Sequence, residues 1–208
     1  MKTVITIGRQ AGSGGSIIGR AFAEKYGIRY YNKELLERAA KDSGYCKEIF
    51  ENHDEKPTNS FLYSLVMDGS FGLAGTTFSE MPLNHKVFLA QFETIRKIAA
   101  EGPCVMVGRC ADYALENCSN VLSVFIHAKT GDRIRRLSEQ LNVSINKAEE
   151  MVIKTDKSRS SYYNYYTNKT WSAAESYHLC LDSSVFGIDG CVELIHQAVE
   201  CMENREQA

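Results

Sequence analysis

The chain has 208 residues, 44% of them hydrophobic, enough to bury one substantial core, so its length favours one domain or a domain carrying an insertion. Lys and Arg (24) nearly cancel Asp and Glu (26), leaving a net charge of -2 that excludes a general pull toward nucleic acid or an anionic membrane. With 3 prolines and 15 glycines the composition is neither collagen-like nor that of a disordered chain.

The start, MKTVITIGRQ, lacks the apolar run and small-residue cleavage site of a signal peptide, and no apolar stretch approaches the roughly 20 residues that span a bilayer. A cytoplasmic protein with neither membrane nor nucleic-acid partners is expected. The 7 cysteines are scattered, with no C-x-x-C pair, and read as small reduced apolar residues. None of the 5 histidines has metal-ligand spacing, so no metal is assigned to a histidine.

In chain order, the β-branched run TVITI (3–7) predicts a buried strand that enters the glycine cluster GRQAGSGGS. IIGRAFAEKYG predicts a helix stopped by Gly27, and IRYY a second strand. NKELLERAAKDSG predicts a helix with Asn32 as N-cap and Gly44 as stop. From about 46 to 85 the pattern becomes polar and irregular around FLYSLV, the mark of an inserted functional or disordered segment. VFLAQFETIRKIAAEG is a helix, PCVMVG and VLSVFI are strands, and GDRIRRLSEQLN and NKAEEMVIKTDKSRSSYYNYYT are helices with basic stretches. YHLCLDSS closes the strands and DGCVELIHQAVECME is a last amphipathic helix. Strands alternating with helices imply an α/β fold, a parallel sheet covered on both faces whose ligands bind at the carboxyl ends of the strands.

Gly8 to Ser16 is the most informative stretch. Strand, glycine cluster and helix N-terminus occur in the order an oxyanion site needs, because backbone N–H groups and the positive end of the helix can face one phosphate. Gly8, Arg9, Gly12, Ser13, Gly14, Gly15 and Ser16 are the candidate phosphate-binding residues, with Ser16 the candidate ligand for Mg²⁺. Against the pattern G-x-x-x-x-G-K-[ST], Gly15 stands where lysine belongs and Gly8 is one position early. Arg9 is the nearest cation to replace the missing lysine.

The loop together with YYNKELLERAA, VMVGRCADY, VFIHAKTGDRIRRL and IKTDKSRSSYYNYYT, in that order, resembles the cytidylate kinase-like branch of the P-loop nucleoside monophosphate kinases. The resemblance implies a P-loop NTPase-type parallel sheet with helices on both faces, an NMP-binding insert (46–85) and a helical LID (131–170). It also implies ATP as phosphoryl donor, Mg²⁺, and a small-molecule acceptor such as CMP. By the same resemblance Arg38, Arg109, Asp156 and Arg159 bind the acceptor, while Arg133, Arg136 and Arg159 stabilise the transferring phosphoryl group; Arg9 joins them as a catalytic candidate by its place in the loop alone. Asn32, Val107 and Cys110 stand where that family carries acidic residues, and Asp112 is a carboxylate nearby.

Each arginine alone reads equally as part of a solvated helix face, but several together suit a transition state whose charge is spread over equatorial oxygens. Two functional classes follow: a kinase, acting on a nucleoside monophosphate or a non-nucleotide acceptor, and a nucleotide-binding regulatory module without turnover. The aromatic run 161–166 with Trp171 reads as packing of the LID helices rather than as a base-stacking platform.

Overall fold

The computed structural model describes residues 1–44, 46–55 and 83–205. Strands β1 (Val4–Arg9), β2 (Arg29–Tyr31), β3 (Cys104–Val107), β4 (Val121–His127) and β5 (Leu179–Asp182) form one sheet in the order β2-β3-β1-β4-β5, every neighbouring pair parallel. The chain builds outward from β1 to β2 and β3 on one side, then crosses to β4 and β5 on the other. The carboxyl end of β1 is thus the switch point at which such a sheet opens a crevice.

The described helices are α1 (Gly15–Tyr26), α2 (Glu34–Ser43), α3 (Lys47–His53), α4 (Leu83–Ala100), α5 (Ala111–Ala114), α6 (Thr130–Leu141), α7 (Ile145–Thr167) and α8 (Ser183–Arg205). Alternation along the strands sorts side chains onto two faces. Ile5, Ile7, Val105, Val107, Leu122, Val124 and Ile126 meet Ile18 and Phe22 of α1 and Val192, Ile195 and Val199 of α8. The intervening residues Val4, Cys104, Met106 and Val121 meet Leu35 of α2, Ile95 and Ile98 of α4, and Leu115. Each such aliphatic or Phe side chain, fully buried, stabilises the fold by about 1.5–3 kcal/mol before chain entropy is charged.

Several elements differ from the sequence reading, each for a local reason. β1 runs two residues past TVITI, so Gly8 and Arg9 are strand residues paired with Phe125 and Ile126. Lys33, not Asn32, is the N-cap of α2 and makes no side-chain capping bond; Asn32 instead donates its backbone N–H to the Glu34 carboxylate at 3.0 Å. Within the irregular segment 46–85, α3 is a helix that buries Phe50 against Leu36, Ala39, Ala40 and Val87. Residues 56–82 of that insert lie outside the described residues. α8 starts at Ser183, directly after β5, and is interrupted at Gly187 (φ 66°), which separates its first turn from the amphipathic remainder.

α6 ends on left-handed Asn142, and α7 begins under Ser144, whose hydroxyl accepts the Lys147 N–H at 3.3 Å. The tyrosines of α7 pack as expected from their spacing. Tyr162, Tyr163 and Tyr166 join Phe88, Phe125 and Tyr177 in a buried cluster, with Phe88 and Tyr166 stacked at 4.0 Å between centroids. No described helix is long and apolar enough to cross a membrane.

Candidate active site

The loop after β1 is held from three sides. The Ala11 N–H donates to Asp156 Oδ1 of α7 at 2.7 Å, the Gly12 carbonyl accepts from Arg136 Nη1 of α6 at 2.6 Å, and the Ser13 carbonyl accepts from the Ser183 hydroxyl of α8 at 2.6 Å. Gly12, at φ 73°, lies against the backbone of α6: a Cβ there would stand 2.3 Å from the Arg133 carbonyl oxygen. Gly14, Gly15 and Ser16 then open α1, whose first N–H groups have no partner within the helix. Gly12, Gly14, Gly15 and Ser16, with Leu137 and Met151, line an open cavity of about 270 Å³.

Two residues expected in the phosphate cradle do other work. A Cβ at Gly8 would meet the rings of Phe125 and Tyr177 at 2.9 and 3.0 Å, so that glycine admits aromatic packing rather than a phosphate. Ser13 is fully buried, and both its N–H and its hydroxyl donate to the Gln10 carbonyl, which spends it on the turn itself.

Gly15 explains the missing lysine. A Cβ at position 15 would stand 2.6 Å from Arg9 Cβ, so the stem of Arg9 crosses the space that a side chain there would need. The glycine and the arginine are a matched pair. The Arg9 guanidinium, however, extends past the loop to Glu55, with Nη1 to Oε1 at 2.5 Å and Nη2 to Oε2 at 3.3 Å.

Around Glu55 the other arginines gather. Arg159 Nε donates to Glu55 Oε2 at 3.0 Å, and the Arg109 backbone N–H donates to Oε1 at 3.2 Å. Gly108, Arg109 and Cys110 all have positive φ (79°, 57° and 55°), a turn whose Gly108 N–H is spent on the Ile7 carbonyl at 3.0 Å and whose Arg109 N–H is the one that meets the Glu55 anion. Such strain, of order 1–3 kcal/mol per non-glycine residue, collects at functional sites. The Arg109 side chain is 2% exposed and forks onto Asp54, Nε and Nη2 each 2.8 Å from a carboxylate oxygen, while Nη1 donates to the carbonyls of Asn32 (2.7 Å) and Val107 (3.2 Å). At Asn32 and Val107 backbone oxygens thus replace the expected acids, and Asp54 restores the negative charge from another element.

Burial alone would raise the Glu55 carboxyl, but the guanidiniums of Arg9, Arg159 and Arg109 outweigh it and hold Glu55 well below the ordinary carboxylate range. Burial pushes Asp54 up despite Arg109, with the Glu55 charge adding to the rise. Because its native value is depressed, the stability that Glu55 contributes is fully present above about pH 4.5, its ordinary value, and is lost as pH falls below it. Acid unfolding of the wild type should therefore be steeper below that pH than that of Glu55→Gln, a comparison that leaves Asp54 common to both. Parallel unfolding curves would show that the Glu55 charge contributes nothing.

Of the expected substrate or catalytic residues, Arg38 sits elsewhere, and Asp156 and Arg133 brace the loop. Arg38 turns toward the start of β3, where Nη2 meets Glu101 at 2.7 Å and Nε meets Asp42 at 3.4 Å; Arg29 shares Glu101. That is the end of the sheet opposite Arg109, because Glu101 precedes the β3 amino end. Asp156 does not face an open base pocket: its second oxygen accepts from Arg133 Nη1 at 2.6 Å, so the pair ties α6 and α7 to Ala11. Arg133, 6% exposed, is correspondingly part of that tie. Asp112 is half-buried and accepts from the Tyr163 hydroxyl at 2.6 Å; burial pushes its carboxyl up.

Asp54 and Glu55 escaped the sequence reading. They end a polar stretch, ENHDE, that has no periodicity, and only the fold carries them 46 to 55 positions back to Arg9 and onward to Arg109. Arg9 and Arg159 line both the loop cavity and a second one between Gly8, Gly108 and Tyr163, which is closed down to space for about one water. They stand at the junction of the two cavities.

Among solved structures, an uncharacterised protein from Eubacterium ventriosum is similar over 96% of this chain and 99% of its own, with 27% identity and a TM-score of 0.72. A shikimate kinase from Bacteroides thetaiotaomicron (14% identity, 96% of this chain and 99% of that one, TM-score 0.54) shares the fold. A cytidylate kinase from Methanococcus aeolicus is 24% identical over 199 residues, covering 94% of this chain and 97% of the relative; one from Pyrococcus horikoshii is 22% identical over 204, covering 97% and 91%. The model of the cytidylate kinase-like family matches residues 4–185, from the first strand through the start of the last helix, and the chain belongs to that family.

Proposed function

We propose that this protein moves the γ-phosphoryl group of ATP to a nucleoside monophosphate, CMP being the acceptor carried by the names of its relatives. The observation that carries the reading is the convergence of Arg9, Arg159 and the Arg109 turn on one anion position adjoining the glycine loop. The donor would occupy the cavity lined by Gly12, Gly14, Gly15 and Ser16, and the acceptor phosphate the cation cluster. Arg9 and Arg159, common to both cavities, would then flank the transferring group.

The chemistry asks little covalent participation of the protein. In-line transfer passes through a state with charge spread over three oxygens, so catalysis is positioning plus electrostatic stabilisation. Arg9 and Arg159 supply planar donors to those oxygens, the loop N–H groups orient the donor, and Arg109, locked by Asp54, keeps the acceptor side of the cleft in shape. Magnesium fits only in part through protein ligands. Among the described residues no group of three or more His, Cys, Asp or Glu side chains could hold a metal, and Asp54, Glu55 and Asp156 are engaged by guanidiniums. The Ser16 hydroxyl, on the first turn of α1, is the residue that would hold Mg²⁺, with phosphate oxygens completing its shell; when bound, the ion neutralises the donor's phosphates. In this proposal the helical pair α6 and α7 acts as the LID, and residues 46–55 with the segment after them as the acceptor-side insert.

A panel of nucleoside monophosphates and small alcohols, assayed for ADP release from Mg·ATP, tests the proposal. Release with CMP well above the water background is expected. Release with an alcohol alone would move the acceptor outside the nucleotides, and nucleotide binding without release would identify a regulatory module.

A further inference from the structure

We infer that Glu55 is a built-in anion that occupies the acceptor's charged-group position, so that a ligand binds there only by displacing it, and that Glu55 thereby sets the affinity and charge selectivity of the acceptor site. The inference rests on the proposed function in treating this position as the acceptor side. The contacts that define it do not depend on that reading. Both carboxylate oxygens are spent: Oε1 on Arg9 and the Arg109 N–H, Oε2 on Arg9 and Arg159. The side chain is 13% exposed, and the second cavity is nearly closed with Glu55 in its wall.

Two other roles for this carboxylate fit less well. A general base needs a free lone pair and an affinity for protons, whereas Glu55 is held ionised by guanidiniums. A metal ligand would bring a divalent cation into a cluster already positive, since among the described residues the guanidiniums of Arg9, Arg109, Arg133 and Arg159 outnumber the carboxylates of Asp54, Glu55 and Asp156 that they face. Like charges there already strain against each other: Arg9 acts on Arg159 to disfavour its charge, and Glu55 relieves this. An internal anion is what an empty cluster of this kind requires.

Charge decides what can displace it. With Glu55 withdrawn, four guanidiniums (Arg9, Arg109, Arg133 and Arg159) and two carboxylates (Asp54 and Asp156) leave an excess of two positive charges, which a phosphomonoester dianion balances. A phosphate also offers three oxygens to the donors Arg9, Arg159 and the Arg109 N–H, where a carboxylate offers two. A monocarboxylate would merely exchange one carboxylate for another, and a neutral alcohol would leave the cations uncompensated. The site should therefore select doubly charged groups.

The test is calorimetric titration of the full chain with inorganic phosphate, comparing wild type with Glu55→Gln. An occupant present in at least nine-tenths of molecules weakens apparent affinity about tenfold or more, so the variant should bind phosphate at least about tenfold more tightly. The gain should vanish in Glu55→Gln combined with Arg159→Ala, and acetate should bind weakly to every form. Glu55→Asp, which keeps the charge but shortens the reach to Arg159, should show a smaller gain and stands in if Glu55→Gln fails to fold. Phosphate affinity that is unchanged or weaker in the folded variants, or a gain that survives loss of Arg159, would overturn the inference. No turnover enters this measurement: CMP phosphorylation without the phosphate gain removes only the role of Glu55, and the gain without CMP phosphorylation removes only the acceptor assignment.

Discussion

Gly12→Ala should unfold more easily than the wild type by about 2–5 kcal/mol and lose most of its affinity for Mg·ATP. Two costs combine in that estimate, a left-handed backbone of roughly 1–2 kcal/mol for a residue with a Cβ and a steric overlap of about 1–3 kcal/mol. The overlap cannot be relieved by a rotamer change, because the atoms met are the carbonyl oxygen, carbonyl carbon and Cα of Arg133 at 2.3, 2.8 and 3.0 Å. α6 must move instead, which disturbs Arg136 on the Gly12 carbonyl and Asp156 on the Ala11 N–H together. Gly27→Ala is the matched control, since Gly27 also has positive φ (65°) but has nothing within 4 Å of its would-be Cβ. It should cost about the backbone component alone and leave Mg·ATP affinity unchanged. Urea denaturation and nucleotide titration of both variants decide the matter: equal effects would mean that the contact between the loop and α6 is immaterial.

The parts of this fold that a linear reading reaches are those encoded by local pattern. TVITI, PCVMVG and VLSVFI are short apolar runs fit for strands buried on both faces, and the pleat then splits Ile5 and Ile7 from Val4, and Val105 and Val107 from Cys104 and Met106. The parallel sheet followed from them. Local rules failed where a residue's task is set by a distant neighbour. Gly8 looks like the first glycine of a phosphate loop, yet it is glycine because Tyr177 and Phe125 press on it. Arg38 lies on a helix beside the right strand, yet Glu101 draws it to the other end of the sheet. Asp54 and Glu55 are invisible in a polar run, and they become the principal anions of the site only when β1, β3 and α7 bring three arginines to them.

Arg159→Ala should lower turnover by a factor on the order of 10³, the usual scale for an arginine that meets the charge of a transferring phosphoryl group, while changing Mg·ATP affinity much less. The asymmetry comes from position. In the proposed reaction the loop backbone and α1 would hold the donor's ground-state phosphates, whereas Arg159 stands between the two cavities, with Nη1 reaching the Arg9 carbonyl at 3.4 Å and Nε on Glu55 at 3.0 Å. A group placed at that junction gains most when negative charge develops between donor and acceptor, so its removal weakens the transition state more than either ground state. Arg159→Lys keeps the charge but not the fork that serves two directions at once, and it should recover only part of the loss. Arg38→Ala supplies the contrast: its ion pairs with Glu101 and Asp42 lie on the exposed opposite end, and its steady-state parameters should match the wild type. Steady-state kinetics with CMP and Mg·ATP separate the cases. If Arg38→Ala were as damaging as Arg159→Ala, the acceptor would engage α2 and the junction of Arg9 and Arg159 would not be where transfer occurs.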